Sequence, residues 1–284
     1  EKHTTVSFVK MTTDLMESLR DCPNSQWLTK DKHKQGKYYY SHLTDYLRFC
    51  ILYRHGGIYS DFDALLLRRL PEAPRVKLVV GKDEIGEGEG GCEWCLGGGR
   101  HYAAPGVMIA GYYGLPVLKL ALQIGFGEDY DENKFGWCGP QALTKAAKQA
   151  RQSIQLLPTH SLYPVNWSNA WRLYMSGSGT LWTKIVNNLD TFSLHFYGSA
   201  TRYVTIESGS IMDRFIDKPL LVLKMYWDYE QYGLDQCIQI MSGDHIDLAV
   251  DHGTISIDSI AFGEQGIHGM NERLRSVKYK SGDS

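Results

Sequence analysis

Leu43, Leu47, Cys50, Ile51 and Arg54 recur at helical spacing, which predicts an amphipathic helix ending near His55 with Gly56 as its C-terminal stop. A short strand, Gly57 to Ser60, follows and carries Asp61 and Asp63 at its end. Ala64 to Leu70 continues as apolar chain to Pro71, and Val76 to Val80 reads as the next strand. Val107 to Ala110 predicts a further strand and Leu115 to Ile124 an amphipathic helix. Gln141 to Gln152 predicts another helix, opened by Gly139-Pro140. Upstream, residues 1 to 35 read as a strand (Val6 to Val9), a polar helix and a charged turn.

Two stretches break this texture. Gly81 to Arg100 is rich in glycine and carries Lys82, Asp83, Glu84, Glu87 and Glu89, which predicts a mobile loop, either a flap or a plain insertion. It is no phosphate cradle, because no Lys-Ser/Thr follows and its charge is acidic. From about Ser199 the chain turns β-rich. Tyr203 to Ile206, Leu220 to Trp227, Gln236 to Met241, Ile246 to Val250 and Thr254 to Ile257 alternate or run apolar between Gly, Asp and Asn breaks. The chain therefore divides into residues 1–198 and a β-rich module over 199–284.

Composition narrows the class. A hydrophobic content of 43% over 284 residues supports a proper core, and a net charge of −2 gives no nucleic-acid footprint. No apolar run approaches the length of a membrane span. Six cysteines are too few for a disulfide framework at this length. Cys92-Glu93-Trp94-Cys95 lacks the second ligand pair that zinc requires and the helix that a redox pair opens, so a loop disulfide or two ordinary thiols fit better. Asn166-Trp167-Ser168 is a glycosylation acceptor sequence if the chain is lumenal.

The candidate chemistry gathers around the first strand. In extended chain, residues two apart point the same way, so Asp61 and Asp63 face one spot. Two hard oxygen ligands there suit Mg²⁺ or Mn²⁺, with a diphosphate completing the shell. Asp45 and Arg48, at i and i+3, share a helix face and can reach the same spot. The bland alternative is that the two aspartates cap the next element. A second Asp-x-Asp, Asp129-Tyr130-Asp131, lies in a polar run that reads as a solvated loop. In the β-rich part, Asp244-His245, Asp247 and Asp251-His252 fit strand ends better than a metal site. Tyr226, Trp227, Tyr229 and Tyr232 there could stack a sugar or fill a small core.

Asp45-x-x-Arg48 followed by Gly56-Gly57-x-Tyr59-x-Asp61-x-Asp63 resembles the core of the Asp-x-Asp sugar transferases. Gly106-Val107-Met108-Ile109-Ala110 is similar to a strand of the animal α-1,4-galactosyl- and α-1,4-N-acetylglucosaminyltransferases, with Pro105 where Asn is often found. Trp137-Cys138-Gly139-Pro140-Gln141-Ala142-Leu143-Thr144 resembles their Gly-Pro-x-x-Leu-Thr helix start. Leu156-Leu157-Pro158, Leu162-Tyr163-Pro164 and Trp167 follow in order, and Leu194-His195-Phe196-Tyr197 resembles their His-x-Trp segment, with Tyr in place of Trp. The resemblance covers about residues 5 to 200.

It implies an α/β fold with a GT-A-type, Rossmann-like core. It further implies a retaining transfer of a hexose or N-acetylhexosamine from a UDP-sugar donor to a glycan acceptor. Asp61, Asp63 and Arg48 would be catalytic, and Asp45, Arg48 and Asp61 would bind the donor sugar. Asp61, Asp63 and His195 would hold Mn²⁺ or Mg²⁺. The family's usual place is the Golgi lumen, with a membrane anchor that would lie upstream of Glu1. Its first strand, which cradles uracil and ribose, is not evident in these residues and would lie upstream or have been lost. Two other readings stay open: a GDP-mannose-dependent mannosyltransferase, and a non-catalytic carbohydrate-binding protein on the same fold.

Overall fold

A computed structural model describes residues 19–30, 34, 36–86 and 90–216, and beyond these only the backbone of strands at 220–225, 236–241, 246–250, 253–257 and 280–281. Helix α1 (Tyr39–His55) buries Leu43, Tyr46, Phe49, Cys50 and Leu52, and with them Asp45 and Arg48. It stops at Gly56, whose φ of 67° lies in the left-handed region. A β-carbon there would also stand 3.1 Å from the Tyr112 backbone, so the tight exit into β1 (Gly57–Ser60) depends on glycine.

Strand β2 (Ala64–Leu66) leaves the next turn, and β3 (Leu78–Glu84), β4 (His101–Ala110) and β5 (Ile154–Leu157) complete the main sheet in the order β1-β4-β3-β5. β4 runs antiparallel to both neighbours, whereas β5 lies parallel to β3. A mixed α/β sheet is therefore present. Helices α2 (Pro116–Gly125) and α3 (Ala142–Gln149) pack with α1 against it through Tyr46, Phe49, Met108, Leu118, Leu122 and Leu143. Each such side chain contributes roughly 1.5–3 kcal/mol on burial. A second cluster forms around β6 (Ser193–His195), which pairs with β2 so that His195 stands opposite Ala64. Its members include Leu65, Val165, Leu173, Leu194, Phe196, Ile211 and Phe215.

The register of β4 is broken where the site will form. Val80 pairs with Met108, but Lys82 pairs with Ala103, so β4 carries extra residues against β3 and bulges. Other elements hold every residue of that bulge. Thr144 accepts from the Ala103 amide at 2.9 Å, and the Tyr163 hydroxyl accepts from the Val107 amide at 2.8 Å while donating to the Ala104 carbonyl at 3.3 Å. Arg48 donates to the Pro105 carbonyl at 3.2 Å, and the Asp61 amide donates to the Gly106 carbonyl at 2.6 Å. The Tyr163 ring reaches the bulge only because Gly81 lies beneath it: a β-carbon at Gly81 would meet the ring at 2.7 Å.

Several expectations need correction. The glycine-rich stretch is not loop from its start, since β3 continues to Glu84 and β4 begins at His101. Val76 lies outside its predicted strand and is exposed. The helix predicted over 141–152 ends at Gln149, after a wide turn at Trp137–Gln141. Tyr203 to Ile206 is irregular rather than a strand, with Val204 and Ile206 packed on the second cluster. The four later strands lie at Leu220–Met225, Gln236–Met241, Ile246–Val250 and Gly253–Ile257. Val6–Val9, Asp244, His245, Asp251, His252 and the Tyr226–Tyr232 aromatics fall outside the described residues.

Cysteine pairing exceeds the sequence reading. Cys22 and Cys50 form a disulfide that ties the chain before α1 to that helix, and Cys92 and Cys95 form the loop disulfide. Cys138 is a buried thiol.

Candidate active site

Asp61 and Asp63 leave β1 in a turn rather than in extended chain, yet their carboxylates converge. One ligand atom each from Asp61, Asp63 and His195 lies within 4.8 Å of the others. Phe62, between the aspartates, points outward and is 63% exposed, which places the carboxylates at the rim of the sheet.

Asp61 is the hub. Its Oδ1 accepts from the Tyr59 hydroxyl at 2.6 Å, and Arg48 Nη1 lies 3.2 Å from Oδ1 and 3.3 Å from Oδ2. Burial alone would raise its pKa, but Arg48, His195 and Tyr59 outweigh that and hold it below the ordinary carboxylate range. Arg48 is 8% exposed and stacks 4.7 Å from the centre of the Tyr59 ring. Burial opposes its charge, yet Asp61, Tyr59 and Asp45 keep it firmly protonated. Asp45 sits behind it, 3.4 Å from Nε. Burial, only partly offset by Arg48, pushes the Asp45 pKa up to about 7.

On the other side, Asp63 Oδ2 accepts from the Gly198 amide at 2.7 Å, and Oδ1 lies 3.3 Å from His195 Nε2. His195 Nε2 also lies 3.6 Å from Asp61 Oδ2. The Tyr197 amide donates to His195 Nδ1 at 3.1 Å. That bond needs a free lone pair on Nδ1, so the ring proton sits on Nε2, facing the two carboxylates. Burial works against a second proton, while Asp63 and Asp61 draw the ring pKa upward. The Tyr197 amide favours the singly protonated ring, because a doubly protonated one would turn an N–H onto an N–H.

The donor set suits a divalent cation, since two carboxylates and an imidazole share one space that a fourth side chain would crowd. A β-carbon at Gly106 would stand 2.9 Å from Asp61 Oδ2, 3.0 Å from His195 Nε2 and 3.1 Å from the Tyr163 hydroxyl. For His195 to ligate through Nε2, its proton has to move to Nδ1 at the expense of the Tyr197 bond.

All five residues singled out in the sequence therefore meet: Asp45, Arg48, Asp61, His195 and Asp63 form one connected chain of contacts. Asp129-Tyr130-Asp131 stays apart in a loop, where Tyr130 bonds the buried His42 at 2.9 Å. Sequence reasoning assigned no role to Tyr59, Asp83, Gly106 or the Gly198 amide. Tyr59, Gly106 and Tyr163 lie within the motif blocks, which was their signal. Asp83 had none, because its neighbourhood read as loop.

An Asp-x-Asp pair backed by a buried arginine, at the end of a short strand in a mixed α/β sheet, is the arrangement that the resemblance to sugar transferases leads one to expect. Comparison with known proteins agrees. A family model described as the glycosyltransferase sugar-binding region containing the DXD motif matches residues 1–87, and the α 1,4-glycosyltransferase conserved region matches residues 113–219. The chain is thus similar to Asp-x-Asp sugar transferases over both of these segments. It is similar to lactosylceramide 4-alpha-galactosyltransferase of Mus musculus, with 25% identity over 213 residues, 69% of this chain and 52% of that protein. The Pongo pygmaeus protein of the same name is 24% identical over 209 residues, covering 69% of this chain and 85% of that protein. The chain thus spans about half the length of the mouse relative.

Proposed function

We propose that the protein is a retaining glycosyltransferase with a GT-A-type core, moving a hexose or N-acetylhexosamine from a UDP-sugar to the glycan of a glycolipid or glycoprotein. The observation that carries this reading is the convergence of Asp61, Asp63 and His195 beside Arg48, with Arg48, Asp61 and Asp63 in the segment that the DXD family model matches and His195 in the segment that the α 1,4-glycosyltransferase model matches. The similarity to α-galactosyltransferases favours galactose as the sugar.

Asp63, backed by Asp61, would hold Mn²⁺ or Mg²⁺, with His195 as a third donor once its proton moves to Nδ1. When bound, such a cation offsets the charge that develops on a departing diphosphate. The remaining work falls to the chain itself. Arg48, locked by Thr44, Pro105 and Asp61, offers a fixed positive group that needs no reorganisation as charge builds. Asp45 lies one residue deeper and would accept hydrogen bonds from sugar hydroxyls. The leaving phosphate is the base that would receive the acceptor's proton, and no enzyme nucleophile is assigned.

Two disulfides fit an oxidising compartment, so the Golgi lumen is the proposed location. Among the described residues no helix is long and apolar enough to cross a membrane. The test is calorimetric titration of UDP-galactose with and without Mn²⁺, followed by assay of galactose transfer to lactosyl acceptors. Mn²⁺-dependent binding and transfer are expected. Binding of free glycan without any UDP-sugar affinity would leave a carbohydrate-binding protein instead.

A further inference from the structure

Asp83 is a carboxylate that the site above does not use, although it lies at the end of β3 and is 2% exposed. Its Oδ2 accepts from the hydroxyls of Tyr102, at 2.7 Å, and Tyr197, at 2.9 Å, and its Oδ1 accepts from the Glu84 amide at 2.7 Å. Three donors converge on it, so it is a fully satisfied buried anchor. It is also the attachment point of a residue in an unusual conformation. Tyr197 has φ 50° and ψ 59°, a left-handed backbone that an aromatic residue adopts only when its surroundings hold it there.

That conformation is what aims two consecutive amides into the site. The Tyr197 N–H meets His195 Nδ1 at 3.1 Å, and the Gly198 N–H meets Asp63 Oδ2 at 2.7 Å. The Tyr197 ring lies 4.3 Å from the His195 ring, centre to centre. One residue therefore fixes both the imidazole and the second aspartate of the motif, and its hydroxyl is moored to β3.

We propose that Asp83 is a positioning residue, which, by holding Tyr197 in its left-handed conformation, keeps the Tyr197 amide on His195 Nδ1 and the Gly198 amide on Asp63 in the unliganded chain. It touches none of the reacting groups and acts through the Tyr197 turn. The placing of His195 and Asp63 bears on sugar transfer only through the function proposed above, but the coupling itself is a property of the unliganded chain.

The test uses Tyr197→Phe and Asp83→Asn in the full chain, read without donor or metal. Two signals are followed: the ring nitrogen resonances of His195, which report where the proton sits, and hydrogen exchange of the Gly198 amide. The parent protein should show one ring form with the proton on Nε2, and a protected Gly198. In both variants the ring should populate the other tautomer, and Gly198 should exchange about tenfold faster or more, while core amides of β4 stay protected. Tyr197→Phe keeps the ring and leaves Asp83 two donors, so it remains informative if Asp83→Asn folds poorly. An unchanged His195 spectrum and unchanged Gly198 exchange in a folded Tyr197→Phe would overturn the proposal. Failure of UDP-sugar binding would count against the proposed function alone, because neither signal depends on it.

Discussion

The Asp45 carboxylate lies directly against the α-carbon of Gly139: a β-carbon built there would stand 2.5 Å from Oδ2 and 2.6 Å from Oδ1. Gly139 belongs to the wide turn that precedes α3, so the Gly-Pro segment recognised in the sequence is also the lid over a buried acid. Gly139→Ala is expected to destabilise the fold by about 1–3 kcal/mol through overpacking. In an Asp45→Ala background most of that cost should vanish, because the methyl then has somewhere to go. Urea unfolding of the four members of this cycle measures the coupling. Equal costs in both backgrounds would show that the contact is slack.

The same burial makes Asp45 sensitive to pH. Its folded pKa, about 7, lies above the ordinary value of 3.8. A raised carboxylate favours the folded state fully below the lower value, and that advantage is lost as pH rises through the upper one. Asp45→Asn cannot ionise, so its stability relative to the parent should climb between pH 4 and pH 8, by about 4 kcal/mol if the whole shift is expressed. Chemical denaturation of both proteins across that range checks the sign first. A parallel pair of curves would mean that Arg48 keeps Asp45 ionised throughout.

Binding should separate the helix from the strand. Asp63→Ala is expected to weaken UDP and UDP-sugar alike and to remove the Mn²⁺ dependence, because it takes away one of the two carboxylates that would hold the cation. Asp45→Ala should weaken the UDP-sugar about tenfold, as expected for a lost charged hydrogen bond, and leave UDP nearly unchanged. Calorimetry with both ligands decides this. Equal losses for the two ligands in Asp45→Ala would place Asp45 as a support for Arg48 rather than a sugar contact.

Proteolysis bears on how the chain divides. Thr201 is buried, and Ile211 and Phe215 pack with Leu65, Leu194 and Phe196. If the later strands form a module of their own, a protease should release a stable core that ends beyond Phe215, not at Ser199–Arg202. Mass spectrometry of the first fragments identifies the cut. A first cut at Ser199–Arg202 that leaves the remainder folded would support the division between residues 198 and 199.

The helix, the glycine break, β1 and the Asp-x-Asp were legible because each follows a local rule: period, stop residue, alternation. His195 was legible only through resemblance, since no local pattern links β6 to β2 across that distance in sequence. The Asp83 network was hidden for a different reason. Glycine and acid density made its segment look solvated, whereas pairing with β4 and three donors bring it inside. The Cys22–Cys50 bond was equally invisible, because one half lies on a helix face and the other in irregular chain. Long-range pairing, not propensity, decided each of these.

The bulge in β4 separates what may vary from what may not. Position 105 contributes its carbonyl to Arg48, and the bulge asks for no ladder amide from it, so proline is accommodated where a regular strand would reject it. Length is another matter. Adding or deleting one residue between Ala103 and Val107 would shift the Gly106 carbonyl away from the Asp61 amide and put a side chain where Gly106 leaves space. Substitution at position 105 should be tolerated, whereas insertion, or a side chain at Gly106, should not. The site depends on the spacing of this stretch and on the glycine at 106, not on the identity of residue 105.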